Sequence, residues 1–155
     1  MKKDNLQSAE LLPWNLQILN YGKQIIEGRN RILQDLYVPF KEMHNSIAGS
    51  DNVDLFIQGV GSGDLEPALQ RFETELNRLT DEEVRKRQVL IGPHRDDLTI
   101  MLNGLDARRF ASQGQTRSII VALKLAELEA SRLRGEKPLF LLDDLSSELD
   151  LERRR

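Results

Sequence analysis

The chain has 155 residues, no cysteine, two histidines and a formal net charge of −3 at pH 7. The absence of cysteine excludes disulfides and thiolate metal sites and fits a cytoplasmic protein, and so mild a charge gives no global attraction to nucleic acid, so DNA contact needs a local basic patch. No apolar run follows Met1-Lys-Lys-Asp-Asn5, so no secretory signal is expected, and no stretch reaches the roughly 18 apolar residues of a membrane span.

One compact domain of this length buries about 70% of its unfolded surface, whereas two small lobes would each be marginal. Residues 1–12 read as a frayed lead, with Pro13 as a first helical residue, where its missing N–H costs nothing. From there Trp14, Ile18, Tyr21, Ile25, Ile32, Leu36, Phe40, Met43 and Ile47 step by three, four and seven. This is a heptad-like helical stripe, with Gly28 and Arg29 where one member should be. Pro39 is expected to kink or divide that helix. Gly49 to Asn52 reads as a turn, Val53 to Ile57 as a strand, and Gly59 to Asp64, with three glycines, as a loop. The loop has no Gly-Lys-Ser/Thr and no Gly-x-Gly-x-x-Gly, so it is not a phosphate loop.

A second helix is expected near Asp64, with Pro67 in its first turn and Leu65, Leu69, Phe72, Leu76 and Leu79 on one face. Thr80-Asp-Glu-Glu83 reads as a capping box opening a further turn or two. Arg85-Lys-Arg87 closes it, cations at the end the helix dipole prefers; the trio is a solvated face or, alternatively, a phosphate contact. Gln88 to Ile91 is expected to be a strand. His94-Arg-Asp96 resembles the opening of a kinase catalytic loop, but the required Asn five residues after the Asp is Met101, and the Gly-rich loop is missing. Asp96 and Asp97 read as capping carboxylates in a turn, with a metal pair as the alternative. Leu98 to Leu102 and Leu105 to Phe110 flank Asn103-Gly104, a strong two-residue hairpin signal.

Residues 111–150 carry the chemistry. Ala111-Ser-Gln-Gly-Gln115 is a small polar turn at the start of a helix over 115–134, which presents Ile119, Ile120, Leu123, Ala126 and Leu128 to the core and ends at Gly135. The first N–H groups of a helix have no intrahelical partner and sit at the positive end of its dipole, so Ser112 and Gly114 stand where a phosphate is favoured. Leu139 to Leu142, bounded by Pro138 and Asp143, reads as a short strand buried on both faces. Asp143 and Asp144 then fall at its carboxyl end, where open α/β sheets place ligands. One carboxylate can hold Mg²⁺ while the other orients or deprotonates a water.

These residues resemble the ABC-type ATPases. Ala111 to Gln115 is similar to the signature turn, Leu139 to Asp144 to Walker B, and Ser147-Glu-Leu-Asp150 to the D-loop. Ile91-Gly-Pro-His-Arg-Asp-Asp-Leu98, Asn103-Gly-Leu-Asp-Ala-Arg108 and Ala122-Leu-Lys-Leu-Ala-Glu127 narrow the resemblance to the RecF family of DNA replication and repair ATPases. It is dense over residues 88–155 and thinner over 14–48. The implied fold class is α/β: part of an ABC-type ATPase head (signature helix, Walker B strand, hairpin) over 88–155, with a helical arm over 1–87. On the residues alone, the stripe from Trp14 to Ile47 reads as an amphipathic helix lying on its own domain; the projecting arm is what the resemblance implies.

What the resemblance implies for the site is specific. Asp143 holds Mg²⁺, and Asp144 orients the attacking water. Ser112, Gln113, Gly114 and Gln115 form the signature that contacts the γ-phosphate of the opposite protomer, and Ser147 and Asp150 couple the two sites. His94 and Arg95 form a further candidate loop site with no role assigned. The implied cofactors are ATP and Mg²⁺. The implied partners are single-stranded or gapped DNA, a RecR-like recombination mediator and a second copy in an ATP-dependent homodimer, with a part in the SOS response and no membrane.

No Gly-x-x-x-x-Gly-Lys-Ser/Thr occurs in the chain, so the expectation is a C-terminal portion that acts as an ATPase only when completed by a Walker A half and dimerised. Micromolar ATP binding takes about 8 kcal/mol, and one helix N-terminus supplies about 0.3–2 kcal/mol; alone, the chain should bind ATP weakly or not at all. The competing reading is a non-enzymatic module that binds DNA or a partner protein. A metal-dependent nuclease would require the Asp pairs to converge.

Overall fold

The computed structural model describes residues 8–49 and 51–141. The fold class is α/β. The elements are α1 (Ser8–Ala48), β1 (Val53–Gln58), α2 (Leu65–Lys86), a 3-10 turn (Pro93–Arg95), β2 (Asp97–Leu102), β3 (Leu105–Asp106), α3 (Ala107–Phe110) and α4 (Gln113–Leu133). The strands form one sheet in the order β1-β2-β3, with β3 antiparallel to β2 and Leu102 opposite Leu105. The chain divides into two compact units: residues up to Arg31 with Phe56–Leu98, and Ile32–Leu55 with the residues from Thr99 onward. α1, β1 and β2 each contribute to both.

The first unit is built around Ile26, Val60, Ala68, Phe72 and Leu76, with Ile18, Leu19, Leu69 and Ile91 packed at the rim. α1 begins before Pro13, so that residue is not the helix start; Ser8-Ala-Glu-Leu-Leu12 contains good helix formers. The buried face of α1 also differs from the expected stripe. Ile26 is 1% exposed, while Ile25, Tyr21 and Trp14 are 45%, 62% and 62% exposed. With isoleucine at both 25 and 26, periodicity alone cannot choose; Gly22 decides, because only a glycine there leaves room for the Phe72 ring.

α2 continues through Thr80 to Lys86, so the expected break at Thr80 does not occur. The Thr80 hydroxyl donates to the Leu76 carbonyl one turn back, at 2.9 Å. Glu83 is buried and turned away from it, accepting the Leu90 and Ile91 N–H groups at 2.6 and 3.4 Å. That is also why Gln88 to Ile91 is not a strand: two of its donors are committed to a carboxylate instead of a ladder.

The second unit packs Phe40, Val53, Leu55, Leu102, Ile119, Ala122 and Ala126 into one core, with Leu33, Leu36 and Met43 among those at its edge. Pro39 does not divide α1, which runs on to Ala48. The lost ladder bond costs about 3 kcal/mol, and burial of Phe40 in this core offsets it. On α4 the buried line is Ile119, Ala122, Ala126 and Ala130, at helical spacing; Ile120 points outward, 54% exposed. Three alanines on that line let the helix approach its neighbours closely.

Two expectations about strands are corrected here. β3 stops after Asp106, because its carboxylate caps α3 by accepting the Arg108 N–H at 2.9 Å. Residues 136–141 are irregular where a strand was expected from Leu139, and Leu139 and Leu141 are 85% and 83% exposed. No described strand pairs with this segment, and an apolar run without a ladder partner has nothing to make it a strand.

Candidate functional site: the turn at the start of α4

Asn103 and Gly104 both have positive φ, 51° and 81°. That is the conformation a two-residue hairpin turn requires and the reason Asn-Gly suits it. The hairpin delivers the chain through α3 to Ser112, the N-cap of α4. The Ser112 hydroxyl accepts the Gln115 N–H at 3.2 Å, and the Gln115 side-chain oxygen accepts the Ser112 N–H at 3.0 Å. This reciprocal box fixes the turn. Further bonds lock the helix behind it: Thr116 N–H and Oγ1 to the Ser112 carbonyl at 2.9 and 3.0 Å, and Ser118 Oγ to the Gly114 carbonyl at 3.1 Å.

Ser112, Gln113 and Gly114 are exposed, Gln115 half-buried. The four predicted signature residues are therefore brought together as one rigid, outward-facing turn at the positive end of a 21-residue helix. Arg108, Arg109 and Phe110 on α3 are exposed just before it, adding positive charge to the same unit. Chemically, the turn can offer backbone N–H groups and a hydroxyl to an anionic acceptor.

Behind the turn stand residues that sequence reasoning did not single out. The Gln115 side-chain nitrogen donates to Asp51 Oδ2 at 3.4 Å, and Asn103 Nδ2 donates to Asp51 Oδ1 at 2.9 Å. Asn103 Oδ1 in turn accepts the Asn52 N–H at 2.9 Å, and the Asn103 N–H reaches the Asn52 carbonyl at 2.7 Å. Asn103 was legible as a turn residue, but nothing local signals that residue 115 reaches residue 51.

At the far end of α4, Arg132 hydrogen-bonds Glu129 and holds that carboxyl below its ordinary value. This pair lies five turns from the signature residues by helix geometry, about 25 Å away, and so takes no part in the turn. An apolar groove in this unit is lined by Met43, Leu125, Leu128, Arg132, Pro138 and Phe140.

The other candidates are placed differently. His94 and Arg95 belong to the first unit and are exposed on the 3-10 turn. Arg95 Nη1 donates to the Val89 carbonyl at 3.0 Å, and the Arg29 guanidinium donates to the Pro93 carbonyl. Asp96 accepts the Val60 and Gly61 N–H groups at 2.7 and 2.9 Å, so it is the capping carboxylate of a turn. Among the described residues there is no group of three or more His, Asp or Glu that could hold a metal, and no helix long and apolar enough to cross a membrane. Asp143, Asp144, Ser147 and Asp150 lie outside the described residues.

No family model matches the chain. Among curated proteins, the DNA replication and repair protein RecF of Symbiobacterium thermophilum is 41% identical over 162 residues, covering 99% of this chain. That of Desulfitobacterium hafniense is 42% identical over 150 residues, covering 96%. The chain belongs to the RecF family. It spans 43% and 41% of the length of those two RecF proteins. The fold agrees: a solved structure of the recombination mediator protein RecF with ATPrS, in the RecFOR pathway, superposes with a TM-score of 0.82 at 29% identity. It covers 99% of this chain and 43% of the RecF chain. A RecF–ATP structure superposes at 0.81. The ABC-type ATPase head fold expected from the motifs is thus the fold of the RecF relatives.

Proposed function

We propose that this chain supplies the signature half of a RecF-type ATPase, closing over the nucleotide held by an opposing protomer. The observation that carries the reading is the turn Ser112–Gln115: exposed, fixed by a capping box, and set at the N-terminus of α4 in a family with solved ATP-bound members. In this reading Ser112, Gln113, Gly114 and Gln115 receive the γ-phosphate in trans, and Asp143 holds Mg²⁺ while Asp144 orients water. Ser147 and Asp150 couple the paired sites. The complete protein then acts in the cytoplasm as an ATP-dependent homodimer on single-stranded or gapped DNA, with a RecR-like mediator, in recombinational repair and SOS induction. His94 and Arg95, exposed on a loop of the first unit, stand as a further candidate site with no role assigned.

The test is ATP-driven dimerisation of full-length protein bearing this chain, followed by sedimentation. Ser112→Arg places a bulky cation where the phosphate should arrive; it should abolish dimerisation while ATP still binds to each monomer. Dimerisation equal to that of the unsubstituted protein would overturn the reading.

A further inference from the structure

We propose that Asp51 is the positioning residue of the signature turn, selecting the sense of the Gln115 amide and thereby holding Ser112 ready for the incoming phosphate; this rests on the trans-nucleotide reading above. The Ser112 backbone N–H can only donate, so the capping box closes only when Gln115 turns its oxygen towards it. The amide nitrogen must then point the opposite way, where it needs an acceptor, and there it meets Asp51. The other oxygen of Asp51 is claimed by the side-chain nitrogen of Asn103, whose own oxygen is committed to the Asn52 N–H. Two donors therefore converge on position 51 from opposite sides. Only an ionised carboxylate, an acceptor at both oxygens, satisfies them together.

The consequence reaches the site. An amide at position 51 offers one acceptor and one donor, so either Asn103 or Gln115 meets a like group. If Gln115 loses, its amide is free to flip and present nitrogen to the Ser112 N–H, opening the box. Asp51 lies at the end of the short connection from α1 to β1, while Gln115 lies 64 residues later. The link ties the loop after α1 to the turn that would meet the nucleotide.

The experiment uses full-length protein bearing this chain. Asp51→Asn should raise the dissociation constant of the ATP-driven dimer about tenfold, the size expected for losing a charge-assisted hydrogen bond, and leave ATP binding to the monomer unchanged. Amide exchange should accelerate at Ser112 and Gln115 but not at Ala122 or Ala126. The deciding variant combines Asp51→Asn with Asn103→Asp. It exchanges donor and acceptor between the two positions, so the introduced asparagine can donate to residue 103 and accept from Gln115; aspartate tolerates the positive φ at 103. Dimerisation should return to within about twofold of the parent, since the full set of bonds is restored. Normal dimerisation of Asp51→Asn, or a double variant no better than the single, would overturn the proposal. If Ser112→Arg also dimerised normally, the trans-nucleotide reading itself would fail; if only Ser112→Arg failed to dimerise, that reading would stand and the role of Asp51 alone would fall.

Discussion

The ring of Phe72 occupies the space a side chain at Gly22 would need: a β-carbon built there lies 2.3 Å from Cε1 and 2.5 Å from Cζ of the ring. Phe72 is fully buried, so it has no free direction in which to yield. This pair fixes which face of α1 the first unit buries, and it explains why Ile26 rather than Ile25 enters the core.

The same substitution at two glycines of α1 should therefore have opposite effects. Alanine in a helix interior gains about 1 kcal/mol over glycine. At Gly28, where an added β-carbon meets nothing within 4 Å, Gly28→Ala should stabilise by about 0.5–1 kcal/mol. Gly22→Ala should instead destabilise by about 1–3 kcal/mol, because overpacking outweighs the helical gain. Urea denaturation of the two variants side by side measures both signs.

Asp96 should prove structural and not metal-binding. Its two oxygens hold the N–H groups of Val60 and Gly61. Gly59, at φ +135°, has no room for a β-carbon beside it: the gap to Oδ1 would be 2.2 Å. Asp96→Ala is expected to cost about 1–3 kcal/mol through the stranded donors, and Gly59→Ala to destabilise as well. A chelator should leave the melting temperature of the parent unchanged; a fall of several degrees would revive the metal reading.

Removing the Glu83 carboxylate should loosen the segment that follows α2. Leu90 and Ile91 bond to it directly, so Glu83→Ala leaves both donors without their acceptor. The cost is again about 1–3 kcal/mol. Faster amide exchange at residues 90 and 91, with α2 itself protected, is the specific signature.

At the turn before α4, cap and nucleotide contact can be separated. Ser112→Ala removes the oxygen that accepts the Gln115 N–H and should lower stability by about 0.5–2 kcal/mol. That effect should appear in thermal unfolding whether or not ATP is present.

The elements that proved legible were those whose signal is local. Asn103-Gly104 announces its own turn, and the spacing of Phe72 and Leu76 gives the buried face of α2. What escaped depends on distant partners. Thr80 and Glu83 have the composition of a capping box, yet Glu83 reaches Leu90 and Ile91 instead, and no local rule says so. The choice between Ile25 and Ile26 was made by a phenylalanine more than forty positions away. Leu139 to Leu142 has the composition of a buried strand, but a strand exists only against a partner; Leu142 lies outside the described residues, and none of the described strands supplies a partner to residues 139–141. At the candidate site, the motif identified Ser112 and its neighbours. Asp51 and Asn103, which hold them, became visible only in three dimensions.

In the proposed assembly Ser112 acts on the nucleotide of the opposite protomer. Mixing two inactive full-length variants, Ser112→Arg and Asp144→Asn, tests it most directly. A mixed dimer contains one site built from the intact Asp144 of one protomer and the intact Ser112 of the other, whereas the Asp144→Asn homodimer contains none and Ser112→Arg alone forms no dimer. ATP hydrolysis, absent from either variant alone, should reappear on mixing. No recovery, although mixed dimers form, would contradict action in trans.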